Sequence, residues 1–473
     1  MRKLRPWTLA LASALLSVLA CIAVMGQAGD ASERAVRALH GQGSEPPPEV
    51  RRMLRQVDSD RIEHTIRKLV SFGTRNTLSS QTDPDRGIGA ARDWIRSRFE
   101  QSAAASDGRM SVELQSYVQQ PASRIPVPTT ITNVVATLRG TQPESADRVY
   151  VISGHYDSMC GDPVNPTCDA PGADDDASGV ATVLELARVM ARHEWDATIV
   201  FMAVAGEEQG LYGSTHFAEV AKQQGMNVAG MFTNDIVGSS VGGNGLHDPH
   251  TVRLFSEGVP TDETPAEANI RRAVGGENDS PARQLARYVR SVAQNRATDM
   301  RVWLIYRRDR YLRGGDNIPF LERGYRSAVR FTEPNENFDH QHQDVRVEDG
   351  KLIGDLPQFV DFRYIARVAR VNGAALAALA SAPAGPANTR IIAAQLTNDT
   401  EIRWNANTEP DLAGYEIVWR DTTDPDWTHS LRVGNVTSHT LEGMSKDNFF
   451  FGVRAVDKDG NRSPVSFPRP ASQ

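Results

Sequence analysis

The stretch that decides the fold class is residues 147–158, "DRVYVISGHYDS". It begins as a run of apolar and β-branched residues and ends in polar ones, which is typical of a buried parallel strand at its carboxyl end. Residues 179–194, "GVATVLELARVMARHE", have a helical pattern, and residues 197–208, "ATIVFMAVAGEE", form a second apolar strand. This alternation predicts an α/β fold with a mostly parallel central sheet and helices on both faces.

The alternation continues along the chain. Residues 228–240, "VAGMFTNDIVGSS", repeat the strand pattern, and residues 359–381 predict a long closing helix. Residues 241–282 are rich in glycine, proline and acidic side chains, so we expect them to be irregular. The chain has 473 residues and 40% hydrophobic content, which is enough for more than one domain.

The composition changes after residues 381–389, "SAPAGPANT", which we interpret as a linker around 384–389. Short alternating strands separated by turn signals follow, and they predict a small all-β sandwich over residues 390–473. The segments "IRWNANTEPDLAGYEIVWR" and "FFFGVRAVDKDGNRSP" resemble the central strands and last hairpin of a fibronectin type III domain. No catalytic grouping occurs in this region, and surface attachment and packing on the larger domain are both open roles for it.

The N-terminus has the pattern of an export signal. Arg2, Lys3 and Arg5 precede an apolar run over 7–24, and small residues follow. We expect a signal peptide over 1–28, an extension over 29–58, and a secreted or periplasmic protein without a membrane association after cleavage. An uncleaved anchor and lipidation at Cys21 are the alternatives. The net charge of −7 without a basic run argues against a nucleic-acid partner.

Cys160 and Cys168 are an even pair that brackets a loop-like stretch with two prolines. In an exported chain such a pair predicts a disulfide. Thiolate ligation of a metal is the alternative, but partners with zinc-finger spacing are missing.

Polar residues gather where the predicted strands end. Since the carboxyl ends of parallel strands meet at one edge, a shared site is expected there. Imidazole and carboxylate without thiolate are the ligand types of a hydrolytic zinc site. The candidates are His155, Asp157, Asp175, Glu207, Glu208 and Asp235, with His340 or His342 from the later stretch "NENFDHQHQDVR". We expect Asp174 and Asp176, which flank Asp175, to cap a helix or to be solvated.

Four motifs occur in order: "GHYDS", "GADDDASG", "AGEEQGLYGS" and "NDIVG". Together with "GGDNIPFLERGYRSAVRFTE", they resemble the M28 family of zinc metallopeptidases, which includes secreted dizinc aminopeptidases. The resemblance covers about residues 60–380, within a domain that we place at 59–383.

The resemblance implies two zinc ions. Asp175 would bridge them, His155 and Asp235 would bind one ion, and Glu208 would bind the other together with a late histidine. The family usually has this histidine directly after an aromatic residue, a pattern that neither His340 nor His342 follows. His342 is the preferred ligand and His340 the alternative.

The resemblance also implies a mechanism. Glu207 would be the general base and acid, Asp157 would orient His155 by accepting its other ring N–H, and Asp316 in "GGDN" matches a family position near the site. A cis peptide is implied between Asp175 and Asp176. The chain would then be an aminopeptidase acting on peptides or proteins with a free N-terminus. A single-zinc glutaminyl-peptide cyclotransferase, a carboxypeptidase and a non-catalytic binding protein are the alternatives, and the number of zinc ions per chain separates the first of these from the aminopeptidase.

Overall fold

The computed structural model describes residues 43–394 and 396–471. The expected signal peptide, Cys21 and most of the expected extension lie outside the described residues. Within the described part of the chain, no helix combines the length and the apolarity that crossing a bilayer requires.

Ten α-helices of the described residues are numbered in chain order, and so are seventeen strands. The helices are α1 (Pro48–Leu54), α2 (Ser59–Val70), α3 (Ile88–Ala103), α4 (Ala177–Met190), α5 (Glu207–Gly210), α6 (Tyr212–Gln223), α7 (Pro265–Val274), α8 (Pro281–Ala293), α9 (Asn317–Glu322) and α10 (Phe362–Ala380). The strands of the central sheet are β1 (Met110–Gln119), β2 (Thr129–Leu138), β3 (Arg148–His155), β4 (Thr198–Val204), β5 (Asn227–Asn234), β6 (Thr251–Phe255), β7 (Arg301–Ile305) and β8 (Ala328–Thr332). The later strands are β9 (Arg346–Glu348), β10 (Lys351–Ile353), β11 (Arg390–Ile391), β12 (Thr400–Arg403), β13 (Leu412–Asp421), β14 (His429–Gly434), β15 (Ser438–Leu441), β16 (Phe449–Asp457) and β17 (Arg469–Pro470).

The eight strands of the central sheet have the order β1-β2-β4-β3-β5-β8-β6-β7. The inner strands β4, β3, β5 and β8 are mutually parallel. The outer pairs β1–β2 and β6–β7 join this centre through the antiparallel contacts β2–β4 and β6–β8. The predicted α/β class is therefore confirmed, with a parallel centre and antiparallel junctions on either side.

Apolar side chains cover both faces of the sheet. One large core packs helices α1, α2, α3, α4, α8 and α10 against it. A smaller core on the other face contains residues of α6 and α9, such as Phe217 and Phe320. Helix α1 precedes residue 59, the predicted start of the domain, and its Val50, Met53 and Leu54 belong to the large core.

The prediction for residues 241–282 was wrong in part, because this stretch contains strand β6 and helix α7. Strand β6 is short, and its alternation was hidden among turn residues. Helix α7 begins with a capping box, in which Thr264 and Glu267 satisfy each other's backbone N–H groups. The sequence "TPAE" carries that signal, with proline at the first helical position.

Residues 381–394 and 396–471 contain strands without a helix, and we call them the β region. A four-stranded sheet, β15-β12-β11-β17, and a three-stranded sheet, β14-β13-β16, enclose a core of Ile402, Trp404, Tyr415, Ile417 and Phe451 with their neighbours. The expected all-β character is confirmed. The likeness to fibronectin type III and the proposed domain boundaries stay predictions.

Candidate metal centre

The carboxyl ends of β3 and β5 bring His155 next to two aspartates. His155 is the last residue of β3, and Asp235 directly follows β5. The His155 Nε2 atom lies 3.0 Å from Asp175 Oδ1 and 3.8 Å from Asp235 Oδ1. All three side chains are buried. Asp175 and Asp235, which are 20 and 80 residues further along the sequence, thus converge on one edge of the His155 imidazole.

The second imidazole nitrogen faces Asp157. Its Nδ1 atom lies 3.1 Å from the backbone oxygen of Asp157 and 3.5 Å from the Asp157 Oδ1 atom. The Oδ2 atom of Asp157 accepts hydrogen bonds from Thr77 Oγ1 and from the backbone N–H of Glu208. Asp157 therefore touches both His155 and the turn that carries Glu208.

Asp175 lies in a loop that buried charged groups fasten on both sides. The carboxylate of Asp355 accepts the backbone N–H groups of Asp174 and Asp175, each at 2.8 Å. The guanidinium of Arg75, which is fully buried, donates to the carbonyls of Tyr156, Pro171 and Gly172 at 2.6–2.8 Å. The loop is thus held from its backbone, which leaves the Asp175 carboxylate to face the imidazoles.

The aspartates on either side of Asp175 have structural contacts. Asp176 caps α4 by accepting from Gly179 N, and its other oxygen accepts the backbone N–H of His155. Asp174 is buried rather than solvated, and it accepts from Gly238 N at 2.7 Å. The Asp175–Asp176 peptide bond is cis, as the family resemblance implied.

Two glycines allow this close packing. A Cβ atom on Gly154 would lie 2.5 Å from the backbone carbon of Gly179, so α4 can begin directly against the end of β3 only without that side chain. Gly206, two residues after the end of β4, has a φ of +75°, in the left-handed region that favours glycine. The turn at Gly206 starts the short helix α5, and Glu207 and Glu208 are its first two residues.

His342 lies in the site and His340 does not. The His342 Nε2 atom is 2.9 Å from Asp175 Oδ2 and 3.1 Å from Glu208 Oε2. The ring of His340 instead stacks on Phe359, with 3.9 Å between ring centroids. Asp175 therefore presents one oxygen to His155 and the other to His342.

Two groups of side chains could each hold a cation. One contains His155, Glu207 and Asp235, and the other contains His155, Asp175 and Glu208, with the ligand atoms of each group within 4.8 Å of one another. Glu208 Oε1 and Asp157 Oδ1 are buried without a hydrogen-bond partner, as are both carboxylate oxygens of Asp316. Imidazole and carboxylate donors with such unpartnered oxygens fit zinc.

The electrostatics of the site favour a cation between these groups. Although burial acts in the opposite direction, the carboxylates of Glu208 and Asp175 raise the pKa of His342 to about 11. Burial raises the pKa of Glu207 well above its ordinary value, and Asp235 and Asp316 raise it further against the opposing effect of His155. A zinc ion competes with protons for the same atoms, so carboxylates that hold a proton on His342 also favour the metal.

Sequence reasoning missed three buried charged residues around the centre: Arg75, Arg330 and Asp355. Arg330 had a signal, because a charged residue inside the buried strand β8 must have a partner. The Asp355 contacts join residues 181 and 180 positions apart, and no local pattern marks them.

The family comparison agrees with this geometry. The model of peptidase family M28 matches residues 133–348, which include the two candidate cation groups and His342. A probable zinc metalloprotease of Pyrenophora teres f. teres is 54% identical over 428 residues, covering 90% of this chain and 88% of the relative. A probable zinc metalloprotease of Leptosphaeria maculans is 53% identical and covers 90% of this chain and 98% of the relative.

Solved structures share part of this fold. The LapA aminopeptidase of Legionella pneumophila has 20% identity and a TM-score of 0.46, with coverage of 70% of this chain and 74% of that one. Porphyromonas gingivalis glutaminyl cyclase has 17% identity and a TM-score of 0.45, with coverage of 67% and 97%. Because the probable zinc metalloproteases match 90% of this chain at more than 50% identity, the protein belongs to peptidase family M28 of zinc metalloproteases.

Proposed function

We propose that this protein is an exported aminopeptidase with two zinc ions that releases N-terminal residues from peptides. The observation that carries the proposal is the arrangement around Asp175. One of its oxygens faces His155 and the other faces His342, so a single carboxylate lies between two sets of ligands. Asp235 would complete the first set and Glu208 the second.

Glu207 is the proposed proton carrier. It lies in a cation group with His155 and Asp235, and its raised pKa means that it holds a proton more readily than an ordinary glutamate. When bound, zinc supplies Lewis acidity that polarises the scissile carbonyl and makes water easier to deprotonate. Glu207 would take that proton and deliver it to the leaving amine.

Asp157 is the proposed orienting residue. It faces His155 Nδ1 through both its backbone and its side chain. It also accepts from the N–H of Glu208, so it fixes the imidazole and the glutamate turn together. Asp316, whose oxygens have no hydrogen-bond partner, is a candidate for the substrate's free α-amino group.

The disulfide supports export. Cys160 and Cys168 are joined, as predicted from the sequence. Structural disulfides persist in oxidising compartments and are rare in the cytosol. The proposed location is therefore outside the cytoplasmic membrane.

The test compares substrates with free and blocked N-termini. Purified full-length protein is assayed with aminoacyl-p-nitroanilides and with their N-acetylated counterparts, before and after chelation and zinc replacement. We expect hydrolysis of the free substrates only, loss of activity with chelator and recovery with zinc. Equal cleavage of acetylated substrates, or activity that survives metal removal, would contradict the proposal.

A glutaminyl-peptide cyclotransferase is the second candidate. The observation in its favour is that Asp175, Glu208 and His342 form a complete set for one ion without Asp235. Incubation with peptides that begin with glutamine separates the two functions. Ammonia release with a cyclised product supports the cyclotransferase, and release of free glutamine supports the aminopeptidase.

A further inference from the structure

Arg330 forms a buried ion pair with one of the proposed metal ligands. It lies in the middle of β8, and its side chain is 0% exposed. Its Nη1 atom is 2.8 Å from Asp235 Oδ2 and donates to the backbone oxygen of Gly314 at 2.9 Å. Its Nη2 atom donates to the backbone oxygen of Asp235. Arg330 is therefore fixed against Asp235 by several bonds.

The two proposed ion positions differ because of this pair. Asp235 has one oxygen on Arg330, so only Oδ1 faces His155. Glu208 has Oε2 near His342 and Oε1 without any partner. No arginine or lysine of the described residues forms an ion pair with the Glu208 carboxylate. An ion beside Asp235 would share its ligand with a fixed positive charge, and an ion beside Glu208 would not.

The other carboxylates that form ion pairs around Arg330 are shared with further arginines. Arg330 also faces Asp309, but Asp309 pairs with Arg310 as well. Arg310 shares Glu336 with Arg253 and Arg313. This ion-paired cluster contains four arginines and three carboxylates: Arg253, Arg310, Arg313 and Arg330 with Asp235, Asp309 and Glu336. Within this set of ion pairs the arginines outnumber the carboxylates by one, so a metal ion beside Asp235 would have to share that carboxylate with Arg330.

We infer that Arg330 makes the ion position of His155 and Asp235 the weaker and more readily exchanged of the two. The position of Asp175, Glu208 and His342 holds its ion tightly. This inference rests on the two-ion centre of the proposed function. Like charges in a buried site repel strongly, and residues that contact a metal ligand typically change metal affinity by about 10- to 100-fold.

The first experiment uses the full chain stripped of metal. Zinc is titrated in competition with a chelator of known affinity, without substrate. We expect two steps whose dissociation constants differ by about 100-fold. The Asp235→Asn variant should lose the weak step and keep the tight one. Two equal steps in the unmodified chain, or loss of the tight step in the variant, would overturn the inference.

The second experiment changes Arg330 itself. Arg330→Met removes the charge at similar length, and Arg330→Lys is the matched control that keeps it. The weak step should tighten by about 10-fold or more in Arg330→Met and stay near its original affinity in Arg330→Lys, with the tight step unchanged in both. An unchanged or weakened second step in Arg330→Met refutes the role of Arg330.

Folding of each metal-free variant is checked by circular dichroism. If Arg330→Met does not fold, the two zinc affinities of the unmodified chain and the Asp235→Asn result still decide whether the position of His155 and Asp235 is the weaker one. Because these are binding measurements, a chain that binds zinc in two unequal steps but cleaves no peptide contradicts the proposed function and leaves this inference standing.

Discussion

At the residue scale, the centre depends on a few side chains whose neighbours set their charge. Arg330 and His155 lower the pKa of Asp235 to about 2, although burial acts in the opposite direction, whereas Glu207 in the same group has a raised pKa. Two carboxyl groups in one site whose pKa values are shifted in opposite directions are suited to different roles. Asp235 stays ionised, as its proposed ligand role requires, and Glu207 holds a proton more readily, as its proposed role in proton transfer requires.

Replacing Glu207 with glutamine should remove the proton carrier and keep the shape of the side chain. We expect kcat on an aminoacyl-p-nitroanilide to fall by about 100- to 10,000-fold, with zinc content unchanged by elemental analysis. Glu194→Gln, at an exposed glutamate, is the control and should keep full activity. Retained turnover in Glu207→Gln would refute the assigned role.

The two late histidines make a matched pair. His342→Ala should lose zinc on dialysis and lose activity, because His342 faces Asp175 and Glu208. His340→Ala should keep zinc and activity and lose only its stacking on Phe359. Zinc retention after dialysis is the measurement, and the opposite ranking would make His340 the ligand.

At the element scale, the sequence was informative where a segment has a continuous apolar run or a long helical pattern. The apolar runs of β3, β4 and β5 and the helical spacing of α4 and α10 are found at the predicted places. The strand order and the antiparallel contact of β6 with β8 could not be predicted, because partners far apart in the chain determine them. The convergence of the strand ends followed from the parallel centre, but the fastening of the aspartate loop by Arg75 and Asp355 did not.

Arg75 should be a main determinant of that loop's stability. Arg75→Met leaves three buried carbonyls without their donor and should lower the free energy of unfolding by about 3–5 kcal/mol in urea titration. Arg96→Met, which breaks only an exposed pair with Glu100, should cost less than about 1 kcal/mol. A loss for Arg75→Met as small as that of the control would contradict the loop-fastening role.

At the scale of the whole molecule, the β region packs on the α/β part through buried charged groups. Asp279, next to α8, lies 3.2 Å from Arg287 and 2.7 Å from Arg420 of β13, and all three side chains are buried. Trp427 donates to Gln284 across the same contact. The sequence left attachment and packing open, since neither side of such a contact has a pattern that identifies its partner.

Asp279→Asn should weaken this contact. It leaves the guanidinium groups of Arg287 and Arg420 buried without their shared carboxylate, so we expect a loss of about 3–5 kcal/mol in unfolding free energy. Limited proteolysis should then cut faster within residues 381–389. Glu401→Gln, at the exposed pair with Arg403, is the control and should behave like the unmodified protein. Equal proteolysis rates for both variants would speak against a role for Asp279 in docking.

A second place beside the β region, around Asp196, carries a pH dependence. Burial, and then Asp411 of the β region, raise the pKa of Asp196 to about 6. A raised carboxyl pKa means that the folded state binds this proton more tightly than the unfolded state. The contribution of protonated Asp196 to folding stability is therefore complete below about pH 4 and is lost as the pH rises through about 6. Asp196→Asn should therefore raise the melting temperature relative to the unmodified protein by about 1–3 °C at pH 7 and by less at pH 4. Asp85→Asn, at an exposed loop, is the control, and a gain that is larger at pH 4 would contradict the assignment.

Strand β3 links the two ends of the molecule. Arg148, its first residue, lies against Glu409 of the β region, and His155, its last, belongs to the metal centre. Eight extended residues span about 25 Å, so the contact of β3 with the β region lies about that far from His155. A partner bound to the outer side of the β region would be at least as far from a peptide substrate at the centre. A surface attached to the outer side of the β region would thus lie beyond the far end of β3 from His155.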